Sequence, residues 1–354
     1  MTSYERVLEA VAHRSPDRTP LDWFCIQSVA DALRDRLGLA TEEDLLAELG
    51  VDIARVEPRV TKRQPIPDHV RATHADAGTL GVTDHGAVLV SSERFPQAHR
   101  VWGPFHDTED LDSFDWPGAE DIESAEAVRP EVDRLNGLGL CTMVRSENPF
   151  KIGYFMRPFD DFLMDCVSRE DYAIELMSRV TDMEIARAES AVRAGARAAM
   201  MGGDFAHQTA LMTSPATFRR TLKPMLARFT EAMRALDPEI LLFLHSDGDL
   251  SDVLDDLVEC GFQAVHPLQP ECMDNVAIKR RYGDRLTLMG GMSVQTELPD
   301  SEPEAIRALV RRRIGELGGG GGFIMAPTNT ILEDVPLASI EAMYRETQAV
   351  TPDP

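Results

Sequence analysis

The sequence predicts an α/β protein folded as a (β/α)8 TIM barrel, and three observations carry that expectation. Short apolar runs recur and each stops at a polar or Gly-rich turn, the pattern of parallel strands buried on both faces. Helical stretches separate those runs, so strand and helix alternate. No GxGxxG follows the first strand, as it would in an open dinucleotide-binding sheet. The 354 residues suit one such barrel read as a single domain, with an inserted β-rich flap at about 57–120.

From the N-terminus, Val7, Leu8 and Val11 have helical spacing over Tyr4 to Ala12. Ser15 to Pro20 breaks the chain before an apolar run at Leu21 to Ile26, read as the first strand. Helices are expected near Ser28 to Leu37 and Glu42 to Leu49, the second with an acidic first turn and Thr41 as its N-cap. A strand follows at Val51 to Val56. From Glu57 to about Glu120 prolines recur, and Leu80 to Val90 reads as a hairpin around His85-Gly86. An excursion of that length between barrel elements predicts a lid or a contact surface.

Regular alternation then resumes. Strands are expected at Leu138 to Val144, Ala198 to Met201, Ile240 to Leu244, Phe262 to Val265, Leu286 to Met289 and Gly322 to Met325. Helices such as Ser168 to Gly195 and Pro303 to Leu317 separate them. With the two early strands this makes about eight βα units. The five glycines Gly318 to Gly322 read as a helix C-cap and turn, because no helix starts behind them and no Lys-Ser/Thr follows, as a phosphate loop would need.

A formal net charge of −24 repels nucleic-acid phosphates and anionic lipid, so neither is an expected partner. The five cysteines are widely spaced without a CxxC pair, which fits a reducing compartment. Met1 to Arg6 lacks the basic and apolar regions of a signal peptide, and no apolar stretch is long enough to span a bilayer. A cytoplasmic protein is expected.

In a barrel the C-terminal ends of all strands converge on one mouth, where function gathers. The polar groups at those ends are Arg145 and Glu147, then Asp204 and His207, then His245 and Asp247, then His266, Gln269, Glu271 and Cys272, and last Asn329. His245 and Asp247 stand two apart, so in extended chain both face one way and suit a divalent cation. The plainer alternative has His245 bonding a substrate oxygen while Asp247 caps the next helix. Asp204 follows Met200-Met201-Gly202-Gly203, where glycines let the backbone approach a ligand. His245, Asp204 and Asp247 are therefore the candidate catalytic residues. Arg145, Glu147, His207, Gln269, Glu271 and Asn329 are candidates for substrate binding. The candidate metal ligands are His245 and Asp247 with His266, Glu271 or Cys272, a set of N, O and S donors that zinc accepts.

Four segments together resemble the uroporphyrinogen decarboxylase superfamily, and most of all its corrinoid-linked methyltransferases. They are His245-Ser246-Asp247-Gly248, the stretch Gly261 to Asp274, Tyr282 to Gly291, and Met325-Ala326-Pro327-Thr328-Asn329-Thr330 with Asp334-Val335-Pro336. Gly203-Asp204, Ser214 to Phe218, Lys223-Pro224 and Arg18 to Asp22 support them. The likeness runs along nearly the whole chain and is best from about residue 198 onward. It implies a barrel with its pocket at the strand C-termini and a homodimer. For the methyltransferases it also implies zinc held by a His-x-Cys pair and a later Cys, positions that fall here on His245, Asp247 and Asn329. Only the histidine is kept, so the soft sulfur ligands that tune zinc to thiolate chemistry are missing. The arginine-rich Arg-Gln-Ala-Gly-Arg opening of the true decarboxylases is missing too.

The resemblance implies an enzyme that moves a methyl group from a small methoxylated or methylated compound to a corrinoid carried by a partner protein. Two alternatives stand beside it. One is a lyase or decarboxylase of a small carboxylated metabolite, with Arg145 or Arg157 on the carboxylate. The other is a non-catalytic binding protein on the same fold.

Overall fold

A computed structural model describes residues 1–92 and 98–352. The first strand of its main sheet is β1 (Ile53–Val56). Strands β2 (Thr79–Val82), β3 (Val88–Ser91) and β4 (His99–Trp102) follow, then β5 (Cys141–Glu147) and β6 (Ala198–Gly202). A short hairpin, β7 (Ala206–His207) and β8 (Ala210–Leu211), precedes β9 (Leu241–His245), β10 (Ala264–His266), β11 (Thr287–Met292) and β12 (Phe323–Pro327). Seven strands form one sheet in the order β1-β5-β6-β9-β10-β11-β12, and every pair in it is parallel.

The edges of this curled sheet meet through residues 20–22. Met325 N donates to Pro20 O and Asp22 N to Met325 O, while Asp52 N donates to Leu21 O. The expected first strand is thus reduced to isolated bridges at Leu21 and Cys25. Pro20 has no N–H to offer a ladder. The side chain of Asp22 turns instead to a two-pronged pair with Arg55, at 2.6 and 3.0 Å.

Strand periodicity decides what faces the interior. Ile53, Cys141, Met143, Ala198, Met200, Leu241, Phe243, Ala264, Ile324 and Ala326 make one inner cluster. Val7, Ala10 and Val11 of the helix Ser3–Val11 join it. Their neighbours in sequence, such as Leu242, Leu244 and Val265, pack outward against the surrounding helices. Each fully buried Leu or Phe of these layers contributes roughly 2–3 kcal/mol. The N-terminal helix fills the end where the strands begin, leaving their C-terminal ends for chemistry. Continuing the same alternation places Arg55, Arg145, Gly202, His245 and His266 inward at that end.

Between β1 and β5 the chain makes a three-stranded antiparallel sheet, β2-β3-β4, in which Leu80 pairs with Val90 as the hairpin pattern predicts. Of the 57–120 stretch, residues 93–97 lie outside the described residues. The turn of that hairpin is tied to the main body by one buried and one half-buried polar pair. His85 Nε2 lies 3.1 Å from Glu184 Oε1 in the helix Glu170–Ala194, and Arg187 of that helix pairs with Asp84 at 2.6 Å. The second oxygen of Glu184 accepts the amide of Glu147 at 2.8 Å, which also fixes the end of β5.

The helix Pro303–Leu317 ends at Gly318, and Gly320 to Gly322 turn into β12 with φ of 70°, 81° and 69°, a conformation that suits glycine. Among the described residues no helix is long and apolar enough to cross a membrane.

The tightest backbone approach is at Gly290 in β11, where φ is 123° and a Cβ would stand 1.7 Å from the carbonyl oxygen of Pro267. Gly290→Ala should therefore cost about 3 kcal/mol or more and lower the urea midpoint, without any change in net charge. An unchanged midpoint would contradict this packing.

Candidate functional site

The site is assembled by strand register. Gly202 pairs with His245 and His245 with His266, so the ends of β6, β9 and β10 lie in one row. Gly203, at φ 141°, then turns the chain after β6, donating its N–H to His245 O at 3.0 Å. A side chain there would meet Lys151 and Asn148 at 2.7 and 3.1 Å, so glycine is what allows the turn. The turn carries Asp204 back over the row. Its Oδ1 accepts the amide of Asp247 at 2.9 Å, which ties the two loops together.

Asp204, His245 and Asp247 are the described residues whose ligand atoms converge, all within 4.8 Å of one another. His245 Nε2 is 3.9 Å from Asp204 Oδ1 and 3.8 Å from Asp247 Oδ1, too far for a hydrogen bond in either case. Asp247 Oδ1 is buried and has no hydrogen-bond partner. Its other oxygen accepts from Asn329 Nδ2. Asn329 Oδ1 in turn accepts the amide of Thr330 at 2.6 Å. Three electron-pair donors thus surround a gap that the protein's own donors leave unfilled.

Burial and the charge of Asp204 push the Asp247 carboxyl up to about 7, against the opposing pull of Asn329 and Arg145. Burial, followed by His266 and the cations Arg145, Lys151 and Arg55, holds His245 well below the ordinary imidazole range. His266 lies near 4 because it too is buried, although Asp22 and the Pro327 carbonyl oppose the shift. Both rings are therefore neutral near pH 7, and a neutral imidazole is the metal-binding form.

The other sequence candidates divide by position. His266 is stacked on His245, with its Nδ1 2.6 Å from the Nδ1 of His245, and it offers no atom to the gap. Glu271 is engaged by the hydroxyls of Ser293 and Thr296. Cys272 is half-buried and lies outside the converging group. Of the three residues from which a third metal ligand was expected, His266 meets only the far side of His245, and none adds a ligand atom to the converging group. Asp204 occupies that place, because the Gly202-Gly203 turn folds it across two strands. The Asn329 position holds a carboxylate in place and does not face the gap.

Among the substrate-binding candidates, Arg145 has no hydrogen bond or ion pair among the described residues, and its Nε is buried without a partner. Its guanidinium lies 5.6 Å from the centre of the Phe24 ring, and Gly202 leaves room for it. Glu147 pairs with Lys151 at 2.9 Å. Gln269 accepts the amide of Gly248 at 3.3 Å and so supports the loop that carries Asp247. The His207 side chain is exposed beside Thr209, while its carbonyl accepts the amide of Asp249 at 3.0 Å. Arg157 is committed to a buried pair with Asp165 and a second pair with the exposed Glu109, which removes it as a carboxylate anchor.

Two contributors were not singled out by sequence reasoning. The Tyr154 hydroxyl donates to Asp204 O at 3.3 Å, and the Asp22–Arg55 pair underlies the site. Neither has a local signal, since both act across strands.

The donor set of one imidazole and two carboxylates fits a divalent cation of nitrogen and oxygen preference. It lacks the sulfur that thiolate-tuned zinc requires.

The uroporphyrinogen decarboxylase (URO-D) family pattern matches residues 101–350. A methylcobamide:CoM methyltransferase, MtaA, of Methanosarcina barkeri is 25% identical over 218 residues, covering 62% of this chain and 58% of that protein. Its counterpart in M. barkeri strain Fusaro / DSM 804 is 23% identical over the same length and with the same coverage. The match thus spans less than two thirds of these relatives. The solved structure of a methyltransferase from Methanosarcina mazei shares the fold, with a TM-score of 0.73 over 99% of both chains at 19% identity.

The raised Asp247 value links the site to stability. Its proton is kept on folding, so the favourable contribution is complete below the ordinary carboxylate range near 4 and is lost as pH rises through about 7. Asp247→Asn, measured by thermal unfolding without added cation, should raise the melting temperature by a few degrees at about pH 8 and by much less at about pH 5. An equal shift at both pH values would contradict the desolvated carboxylate pair.

Proposed function

The chain belongs to the uroporphyrinogen decarboxylase family, and from that premise we propose that it is a cytoplasmic methyltransferase. It moves a methyl group from a small methoxylated or methylated substrate to the cobalt of a corrinoid carried by a partner protein. The methyltransferases among its relatives support the reaction class. The observation that carries the choice of substrate is the donor set of Asp204, His245 and Asp247, with its unpartnered Asp247 oxygen.

A divalent cation, zinc being the expected one, would be held by those three residues and would supply Lewis acidity toward a substrate oxygen. Oxygen is the better match because the set contains no sulfur. His245 would hold it through Nε2 and Asp204 and Asp247 through carboxylate oxygens, with Asn329 keeping Asp247 in its orientation. Arg145 holds an anionic or strongly accepting group of the substrate against Phe24, using donors that no protein group occupies. The pair of the breaking methyl–oxygen bond would stay on the departing oxygen, which takes a proton from solvent, while the methyl would be taken as a cation equivalent by the two-electron nucleophile, the Co(I) state of the partner's corrinoid. The antiparallel sheet β2-β3-β4 closes over the mouth or meets the corrinoid partner, supported by the seating of Asp84 and His85 on the helix beside β5.

The test is elemental analysis of protein purified without chelators, paired with a methyl-transfer assay on methoxylated carboxylic acids with free cob(I)alamin. About one divalent cation per chain is expected, lost in His245→Ala together with about 100-fold or more of the activity. Turnover of a carboxylated compound with no corrinoid present would overturn methyl transfer in favour of a lyase. Ligand binding with neither cation nor turnover would favour a binding protein.

A further inference from the structure

The contact between His245 and His266 sets which nitrogen of each ring carries hydrogen. His266 Nε2 lies 3.0 Å from Pro327 O, and a carbonyl oxygen only accepts, so Nε2 of His266 bears the hydrogen. In the neutral ring its Nδ1 is then a bare acceptor. That Nδ1 is 2.6 Å from Nδ1 of His245, a distance with room for one proton, which must belong to His245. With Nδ1 of His245 protonated, its Nε2 is left as a free lone pair. That is the atom facing Asp204 and Asp247.

We propose that His266 is a positioning residue that fixes His245 in the Nδ1–H tautomer and aims its Nε2 lone pair into the Asp204–Asp247 gap, through a hydrogen-bond relay ending on the Pro327 carbonyl. Cation affinity in this inference rests on the reading that the three residues hold a divalent cation. The relay itself rests only on the two contacts. Its parts come from three strand ends: β9 supplies His245, β10 supplies His266 and β12 supplies Pro327. Both rings are buried, so water does not compete for either hydrogen bond. A ligating histidine usually hands its second N–H to a carboxylate, a carbonyl or water; here a second imidazole stands between the ligand and the carbonyl. A neutral acceptor gives direction without adding a negative charge to a site that already has two carboxylates.

The test has two independent arms. Long-range ¹H–¹⁵N spectra of histidine-labelled wild-type protein, free of cation, read the tautomers directly. His245 should appear protonated on Nδ1 and His266 on Nε2. Protonation of His245 on Nε2 would overturn the proposal. The second arm titrates Co²⁺ into wild type, His266→Ala and His266→Gln, with thermal unfolding as the check on folding. His266→Ala should weaken binding about 10–100-fold, and His266→Gln, whose amide can accept from His245 and donate to Pro327, should recover most of it. Equal affinity in all three would also overturn the proposal. If the wild type binds no cation, the cation reading fails, and the spectra alone decide the tautomers.

Discussion

Four adjacent parallel strands end in register, and this constraint shapes the C-terminal end of the curled sheet. Glu147 pairs with Gly202, Gly202 with His245, and His245 with His266, so a single row crosses β5, β6, β9 and β10. A slip of one residue in β9 would turn His245 outward and bring Leu244 to the interior. The register is held by the alternating apolar layers beneath the row, where Met200 and Phe243 face inward and Leu242 and Leu244 face the helices. Gly202 is the open place in the row. It leaves space for the Arg145 side chain, and the glycine after it lets Asp204 fold back over His245.

The price of this arrangement is electrostatic. Two carboxylates share a partly desolvated gap, one of them with an oxygen that no donor reaches, and burial keeps the nearest imidazole from carrying a compensating charge. Such a group opposes folding and persists because the surroundings over-determine it. Those surroundings are the inner apolar layer, the Asp22–Arg55 pair and the Asn329 hydrogen bond. A cation would satisfy all three donors at once, linking occupancy to stability.

Much of this was legible in the sequence, because strand ends can be read from apolar runs. Asp204, His245 and Asp247 stood out as polar residues at or just after the ends of such runs, and the family resemblance implied a pocket at the strand C-termini. What sequence could not supply was distance across strands. His266, Glu271 and Cys272 appear equivalent as donors in one stretch of chain, but the fold places His266 behind His245 and gives Glu271 to Ser293 and Thr296. Asp204 looked like a catalytic group of its own strand, and only the turn at Gly203 makes it a partner of Asp247. The reduction of the Leu21 to Ile26 strand to bridges was likewise hidden, since it depends on Asp22 pairing with Arg55 thirty-three positions away.

The central claim is that the mouth is a nitrogen-and-oxygen cation site built from Asp204, His245 and Asp247. X-ray absorption at the edge of a bound Zn²⁺ or Co²⁺ tests it most directly, because oxygen and nitrogen ligands scatter from about 2.0–2.2 Å and sulfur from about 2.3 Å. The account predicts a first shell of nitrogen and oxygen alone, including imidazole scattering that disappears in His245→Ala. A sulfur scatterer in that shell, which would bring in Cys272 or another thiol, would contradict it.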